Sequence, residues 1–263
     1  MCLSGNGARK AVIYLASGAL VGDIGTKVVA GIALCTALAY GGYKKRALNK
    51  SGAALSWVFG FLIILLCDLS WFLLILMFFV SAAAATKYKY KAKEKLGAAE
   101  ERLGARSWEN VLANGMSPLL FVISEFVHPG AVFLAGYLGA VSTAMADTLS
   151  SEIGLTSKSH PWLIINFRRV KPGTHGAISV KGTAASLVGC LVLGVLGWVL
   201  GMEASWTFLA IMLTCVVGGM VGCTLDSVLG AVFELKGKMS NSQVNLVSTI
   251  GGGLASIAVF FII

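Results

Sequence analysis

The sequence predicts an all-α, polytopic transmembrane helical bundle of about seven or eight spanning helices, with a short N-terminal helix beside it. Three observations carry this. Of 263 residues, 57% are hydrophobic and 13% charged, with a mean hydropathy of +0.82, well outside the range of soluble domains. Several apolar runs approach the length of about 20 residues that a spanning helix needs. The connections between those runs alternate between basic and non-basic, as the positive-inside rule requires.

The first apolar run, 11–22, is short and suits a short or re-entrant helix. Arg9 and Lys10 before it give a faint likeness to a signal peptide, but no small-residue cleavage site and soluble domain follow, so it reads as retained. Further runs cover 24–43, 52–67, 69–86, 110–126, 131–150, 183–201, 206–230 and 244–263. Basic connections carry Lys44, Lys45, Arg46 and Lys50, then residues 87–106, then 158–181, then Lys236 and Lys238. The others carry Asp68, then Val127-His128-Pro129-Gly130, then Glu203, without Lys or Arg. The basic connections are therefore expected in the cytoplasm of a multi-pass protein of an archaeal or bacterial cell membrane. The expected organisation is an N-terminal segment at 1–23 and one membrane-embedded catalytic domain at 24–263, with cytoplasmic loops at 87–109 and 155–182. The charged stretch 87–106 reads as a solvated helix or loop touching anionic lipid headgroups.

Net charge is +9, but the cations sit in a few loops. Topology accounts for them, and no nucleic-acid partner is expected. Six cysteines occur without C-x-x-C or histidine pairing, which points to small buried hydrophobes rather than disulfides or zinc.

The strongly polar clusters converge on one membrane face. Runs entering from that face begin near Asn110 and Asn114, near Ser179, and near Asn241 and Asn245; runs returning to it end at Asp147 to Glu152 and at Asp226. Ala135, Gly139, Thr143, Asp147 and Ser151 recur at four-residue spacing, as do Gly218, Gly222, Asp226, Gly230 and Glu234. Such small-residue stripes let helices approach closely in lipid and would carry both aspartates inward. Acids at membrane depth are costly and mark function. Asp147 and Asp226 together suit Mg2+, a hard cation that takes oxygen ligands and shares its shell with substrate phosphates. Glu152 follows Asp147 by five residues, roughly 140° around a helix, and so points elsewhere unless the helix ends near Ser150. It could serve a second ion or hold a loop. Asn114 and Asn245 suit polar contacts to a ligand or phosphate, and equally interhelical hydrogen bonds.

The loop at 168–182 carries Arg168, Arg169, Lys171, Gly173, Thr174, His175, Gly176, Ser179 and Lys181 before a helix start. Glycines let backbone N–H groups approach an anion, and a helix N-terminus adds positive potential. No Walker A pattern is present. His175 is a candidate proton carrier, although a lone loop histidine more often has no chemical part.

These residues resemble an integral membrane family that includes plant phytyl-phosphate kinase, animal transmembrane protein 19 and archaeal and bacterial relatives, the domain-of-unknown-function 92 family. The resemblance covers about 35–263. It rests on Lys44-Lys45-Arg46-Ala47-Leu48 with Ser51-Gly52-Ala53, on Val111-Leu112-Ala113-Asn114-Gly115, on Ala146-Asp147-Thr148-Leu149-Ser150-Ser151-Glu152-Ile153-Gly154, on Pro172-Gly173-Thr174-His175-Gly176-Ala177-Ile178-Ser179, on Asp226-Ser227-Val228-Leu229-Gly230-Ala231 and on Val244-Asn245. The family has Gln where this chain has Asn110, so no role is carried over to that residue.

The resemblance implies an isoprenyl-phosphate kinase of phytyl- or geranylgeranyl-phosphate type, using CTP or another nucleoside triphosphate and Mg2+. Its catalytic residues would be Asp147, Asp226 and Glu152, with Asp147 and Asp226 holding the metal. Lys171, Gly173, Thr174, Gly176, Ser179, Lys181, Asn114 and Asn245 would bind phosphates. The expected partners are an isoprenyl monophosphate, a nucleoside triphosphate with CTP favoured, and membrane lipids. A cytidylyltransferase acting on a lipid phosphate and a lipid-phosphate transporter are the alternatives.

Overall fold

A computed structural model describes residues 24–96, 105–157, 159–203 and 205–263; the helix expected at 11–22 lies outside the described residues. Among those residues nine α-helices follow in order: α1 Ile24–Lys44, α2 Lys50–Leu66, α3 Leu69–Lys87, α4 Tyr90–Lys95, α5 Trp108–Val127, α6 Ala131–Gly154, α7 Val180–Val199, α8 Phe208–Leu229 and α9 Asn241–Phe260. A single π-helical turn, Gly230–Glu234, continues α8. Seven of these helices are long and apolar enough to cross a membrane. The seventeen-residue α2 is shorter but within the spanning range. The bundle is all-α as expected, apart from one antiparallel ribbon, β1 Trp162–Leu163 with β2 Ala177–Ile178, which ties the 155–179 loop to itself.

Helix starts follow local chemistry. Asn49 and Asp68 cap α2 and α3 by accepting from Gly52 N at 2.8 Å and Ser70 N at 2.7 Å. Asp68 thus has a structural use. Ser240 and Gln243 form a capping box at α9. Helix α7 begins at Val180, three residues before the expected start, because Ser179 accepts from Gly182 N at 3.1 Å.

Helix α6 is the hub, buried along most of its length and packed against α3, α5, α7, α8 and α9. Lipid offers helices no hydrophobic drive to associate, so close backbone approach must supply the attraction. The two small-residue stripes do this. A Cβ on Gly252 of α9 would stand 2.7 Å from the Gly218 carbonyl oxygen of α8, and one on Gly218 would stand 2.8 Å from the Gly139 Cα of α6. Thr143 then donates to both Gly139 O at 2.8 Å and Gly218 O at 3.1 Å, joining α6 to α8. Around α2 and α3 the packing is instead by large groups, among them Phe59, Ile63, Trp71, Phe72 and Phe78. Tyr137 of α6 reaches this layer and donates to Trp71 O at 2.5 Å.

Candidate active site

The ends of α5, α6, α8 and α9 that share one face of the bundle surround a polar cavity of about 290 Å3. Thr143 fixes α6 against α8 at Gly218; Asp147 lies one turn further along α6 and Asp226 two turns further along α8, and both line the cavity. The two carboxylates interact directly across the α6–α8 contact, and Glu234 adds negative charge to both. Asn114 from α5 and Asn245 from α9 complete the ring. The Asn114 amide nitrogen donates to Asn110 O at 3.1 Å. Asp226 Oδ2 and Asn245 Oδ1 are buried without a hydrogen-bond partner.

Orphaned acceptors beside paired acids are expensive at membrane depth. A cation would satisfy them, and an all-oxygen donor set is what a hard divalent ion takes. Among the described residues no group of three or more His, Cys, Asp or Glu converges as a metal cluster. The donors here are two carboxylates and amide oxygens, which suits Mg2+ sharing its coordination with phosphate.

The glycine loop covers the cavity. Gly173, Thr174, His175, Gly176 and Ser179 all line it. Gly173 and Gly176 have φ of +87° and +74°, values that favour glycine. Gly176 also lies against the end of α8, where a Cβ would stand 2.5 Å from both Ser227 O and Ala231 N. The loop therefore docks on the π turn, whose Glu234 pairs with His175 at 3.1 Å. Such turns inserted in α-helices are frequent at functional sites. Thr174 closes a turn by donating to Lys171 O at 2.8 Å.

Three residues assigned from sequence are placed differently. Lys171 and Lys181 do not line the cavity; Lys181 Nζ instead donates to Thr156 Oγ1 at 2.5 Å. Glu152 lines its edge, but α6 runs on to Gly154 and turns the carboxylate toward α3. There Glu152 accepts from Lys93 Nζ at 2.5 Å and from the Thr86 hydroxyl at 2.7 Å. Lys93 also donates to Ala85 O and Thr86 O, and it is 1% exposed. The expectation of a solvated helix or loop touching lipid headgroups at 87–106 fails at this residue: a positive φ at Lys89 folds α4 back on α3, and a charged partner makes burial of the ammonium tolerable.

One cation that sequence reasoning passed over does reach the cavity. Arg106 lines it, acts electrostatically on Asp147 and sits over the Phe78 ring at 5.6 Å. Its backbone is strapped to the turn between α1 and α2: Arg106 N donates to Ala47 O at 3.0 Å, and Asn49 N donates to Arg106 O at 3.1 Å. Gly52 makes room, since a Cβ there would collide with the Arg106 carbonyl. The only sequence signal was a cation one residue before the Ser107 cap of α5, which positive-inside topology explains equally well.

Residues 33–253 match the family described as Integral membrane protein DUF92. An uncharacterized membrane protein of Methanocaldococcus jannaschii is 34% identical over 218 residues, 82% of this chain and 87% of that protein. An uncharacterized membrane protein of Synechocystis is 36% identical, covering 60% of this chain and 62% of that protein. The chloroplastic protein VTE6 of Arabidopsis thaliana is 33% identical over 59% of this chain and 48% of its own length, so the chain spans about half of it. No solved structure matches. The match to most of the chain, through the same aspartate, glycine-loop and asparagine segments that build the cavity, makes this protein a member of the integral membrane protein family DUF92.

Proposed function

We propose that the protein is a membrane lipid-phosphate kinase, transferring a phosphoryl group from a nucleoside triphosphate, with CTP favoured, to an isoprenyl monophosphate. The observation that carries this is the pair of buried orphan acceptors, Asp226 Oδ2 and Asn245 Oδ1, beside Asp147 and beneath a glycine loop. The family resemblance supplies the substrate class.

In this reading Asp147 and Asp226 hold Mg2+, with Asn245 and Asn114 lining the same ring. Mg2+ would neutralise charge on the transferring phosphate. The backbone N–H groups of 173–176 bind nucleotide phosphates, while the Thr174 hydroxyl holds the turn through Lys171 O and Ser179 holds the loop by capping α7. Lys171 and Lys181 contribute positive potential from outside the cavity. A phosphate oxygen of the lipid attacks the terminal phosphorus; that P–O bond forms while the bridging bond to the adjacent phosphate breaks, and the nucleoside diphosphate leaves with the bond's electrons. A deprotonated phosphate needs no general base, so positioning and charge neutralisation suffice. Glu152 acts through Lys93 as a positioning residue. The cavity sits at the helix ends rather than midway along them, which suits chemistry at one face better than transport. By the positive-inside rule that face is cytoplasmic.

The test is full-length protein in detergent with phytyl or geranylgeranyl phosphate, Mg2+ and each nucleoside triphosphate in turn, with products identified by mass. A lipid diphosphate is expected, together with its loss in Asp147→Asn. No diphosphate from any pairing, a CMP-linked lipid instead, or an undiminished Asp147→Asn rate would overturn the proposal.

A further inference from the structure

A second cavity, about 440 Å3 and mostly apolar, lies between α1, α2, α3 and α5. Phe59, Gly60 and Phe72 line it inside the bundle, with half-buried Leu38 and Ala83 nearer the face, and Lys45, Lys87 and Arg106 line its end at the face of the polar cavity. Lys87 Nζ reaches across from α3 to donate to Lys45 O at 2.8 Å. That bond spans the groove at its end near the face, and exposed Val80 and Ala84 border it on the side of α3. A lateral entry between helices is the route that suits a lipid. Arg106, Asn110 and Asn114 line both cavities, so the apolar groove and the acidic site share one wall.

An apolar groove bordered by exposed side chains of α3, tipped with three cations and adjoining a phosphate-type site through a shared wall, matches a single-chain amphiphile with an anionic head. We infer that this groove is the tail site of the lipid monophosphate and that Arg106 binds its phosphate. Arg106 is suited to both cavities: its guanidinium lies over the Phe78 ring of the groove, and the residue also lines the cavity that holds Asp147. A planar guanidinium recognises phosphate by paired hydrogen bonds. The strap onto Ala47 and Asn49, admitted by Gly52, is what sets its position. The family motif at 44–53 thereby gains a purpose: it builds the shelf for a residue sixty positions away in the chain.

This inference rests on the lipid-phosphate reading of the polar cavity, and its test needs no turnover. Full-length protein in phosphatidylcholine nanodiscs is photolabelled with geranylgeranyl monophosphate carrying a diazirine at the far end of its chain, and adducts are mapped by mass spectrometry. Adducts are expected on α1, α2 and α3 residues of the groove, suppressed by excess geranylgeranyl phosphate and not by geranylgeraniol. Arg106→Gln should weaken competition by the phosphate about tenfold, the loss of one charge-assisted contact, with Arg106→Lys intermediate. Ala83→Trp, which fills the groove, should reduce labelling while leaving thermal unfolding in detergent unchanged. Labelling suppressed equally by the alcohol, adducts spread over outward helix faces, or indifference to Ala83→Trp would each overturn the assignment. Phosphate-dependent groove labelling without any diphosphate product would instead remove the kinase and leave the groove.

Discussion

The two halves of the bundle are held together by opposite means. In α6, α8 and α9 contact comes from missing side chains, with Gly139, Gly218 and Gly252 bringing backbones together. In α2 and α3 it comes from bulk, with Phe59, Trp71, Phe72 and Phe78 filling the layer. The difference suits the proposed function. Backbone packing fixes helix ends rigidly, which two acids would need in order to share one ion. Ring packing leaves an apolar groove of about 440 Å3 beside it, where a flexible tail can be accommodated. Glu152 and Lys93 join the halves, linking α6 to the α3–α4 corner.

Breaking that join should have the largest effect. Glu152→Leu leaves the Lys93 ammonium buried and unpaired and should cost about 3–5 kcal/mol; adding Lys93→Met should recover most of it. A double-mutant cycle on thermal or denaturant unfolding measures this, and equal costs for single and double variants would refute it. The contrast in packing itself is tested by a matched pair. Gly222→Ala forces a Cβ into Thr143 and should cost about 3 kcal/mol, as overpacking does. Gly60→Ala meets only the Phe72 ring edge and the Cys35 Sγ, beside open groove, and should cost about 1 kcal/mol or less. Similar losses at both sites would remove the distinction.

The acids should separate activity from stability. Asp226→Asn should lower the phosphoryl-transfer rate about a hundredfold, the scale of a lost electrostatic contact to developing charge. It should leave the melting temperature unchanged or raised, because it relieves two carboxylates buried together. A lower melting temperature would mark Asp226 as structural. The smallest effect is expected from His175→Ala. His175 is half exposed and bonds only the loop to Glu234, so stability should change by about 0.5 kcal/mol or less, and a severe rate loss would instead give it a part in proton transfer.

Much of this was legible along the chain. The spans rest on hydropathy and the inward turn of Asp147 and Asp226 on four-residue spacing; the structure has the apolar helices and lines one cavity with both acids. The glycine loop over the acids was also legible, since Pro172-Gly173-Thr174-His175-Gly176 precedes a helix start. What Gly176 does was not, because its reason is the carbonyl of Ser227 in another helix. Lys171 and Lys181 looked like phosphate ligands by charge and neighbourhood, yet the turn at Thr174 and the bond from Lys181 to Thr156 keep them outside the cavity.

Membrane class, the approximate extent of the spans and the faces that carry the acids follow from sequence alone, because helical period and hydropathy are local properties that every residue reports. Tertiary structure alone decided that Lys93 is buried against Glu152, that Arg106 and not the loop lysines reaches the site, and that an apolar groove shares its wall. Each of those depends on contacts between residues distant in sequence, where one charged residue in a basic loop reads the same whether it faces solvent, lipid headgroups or a buried carboxylate.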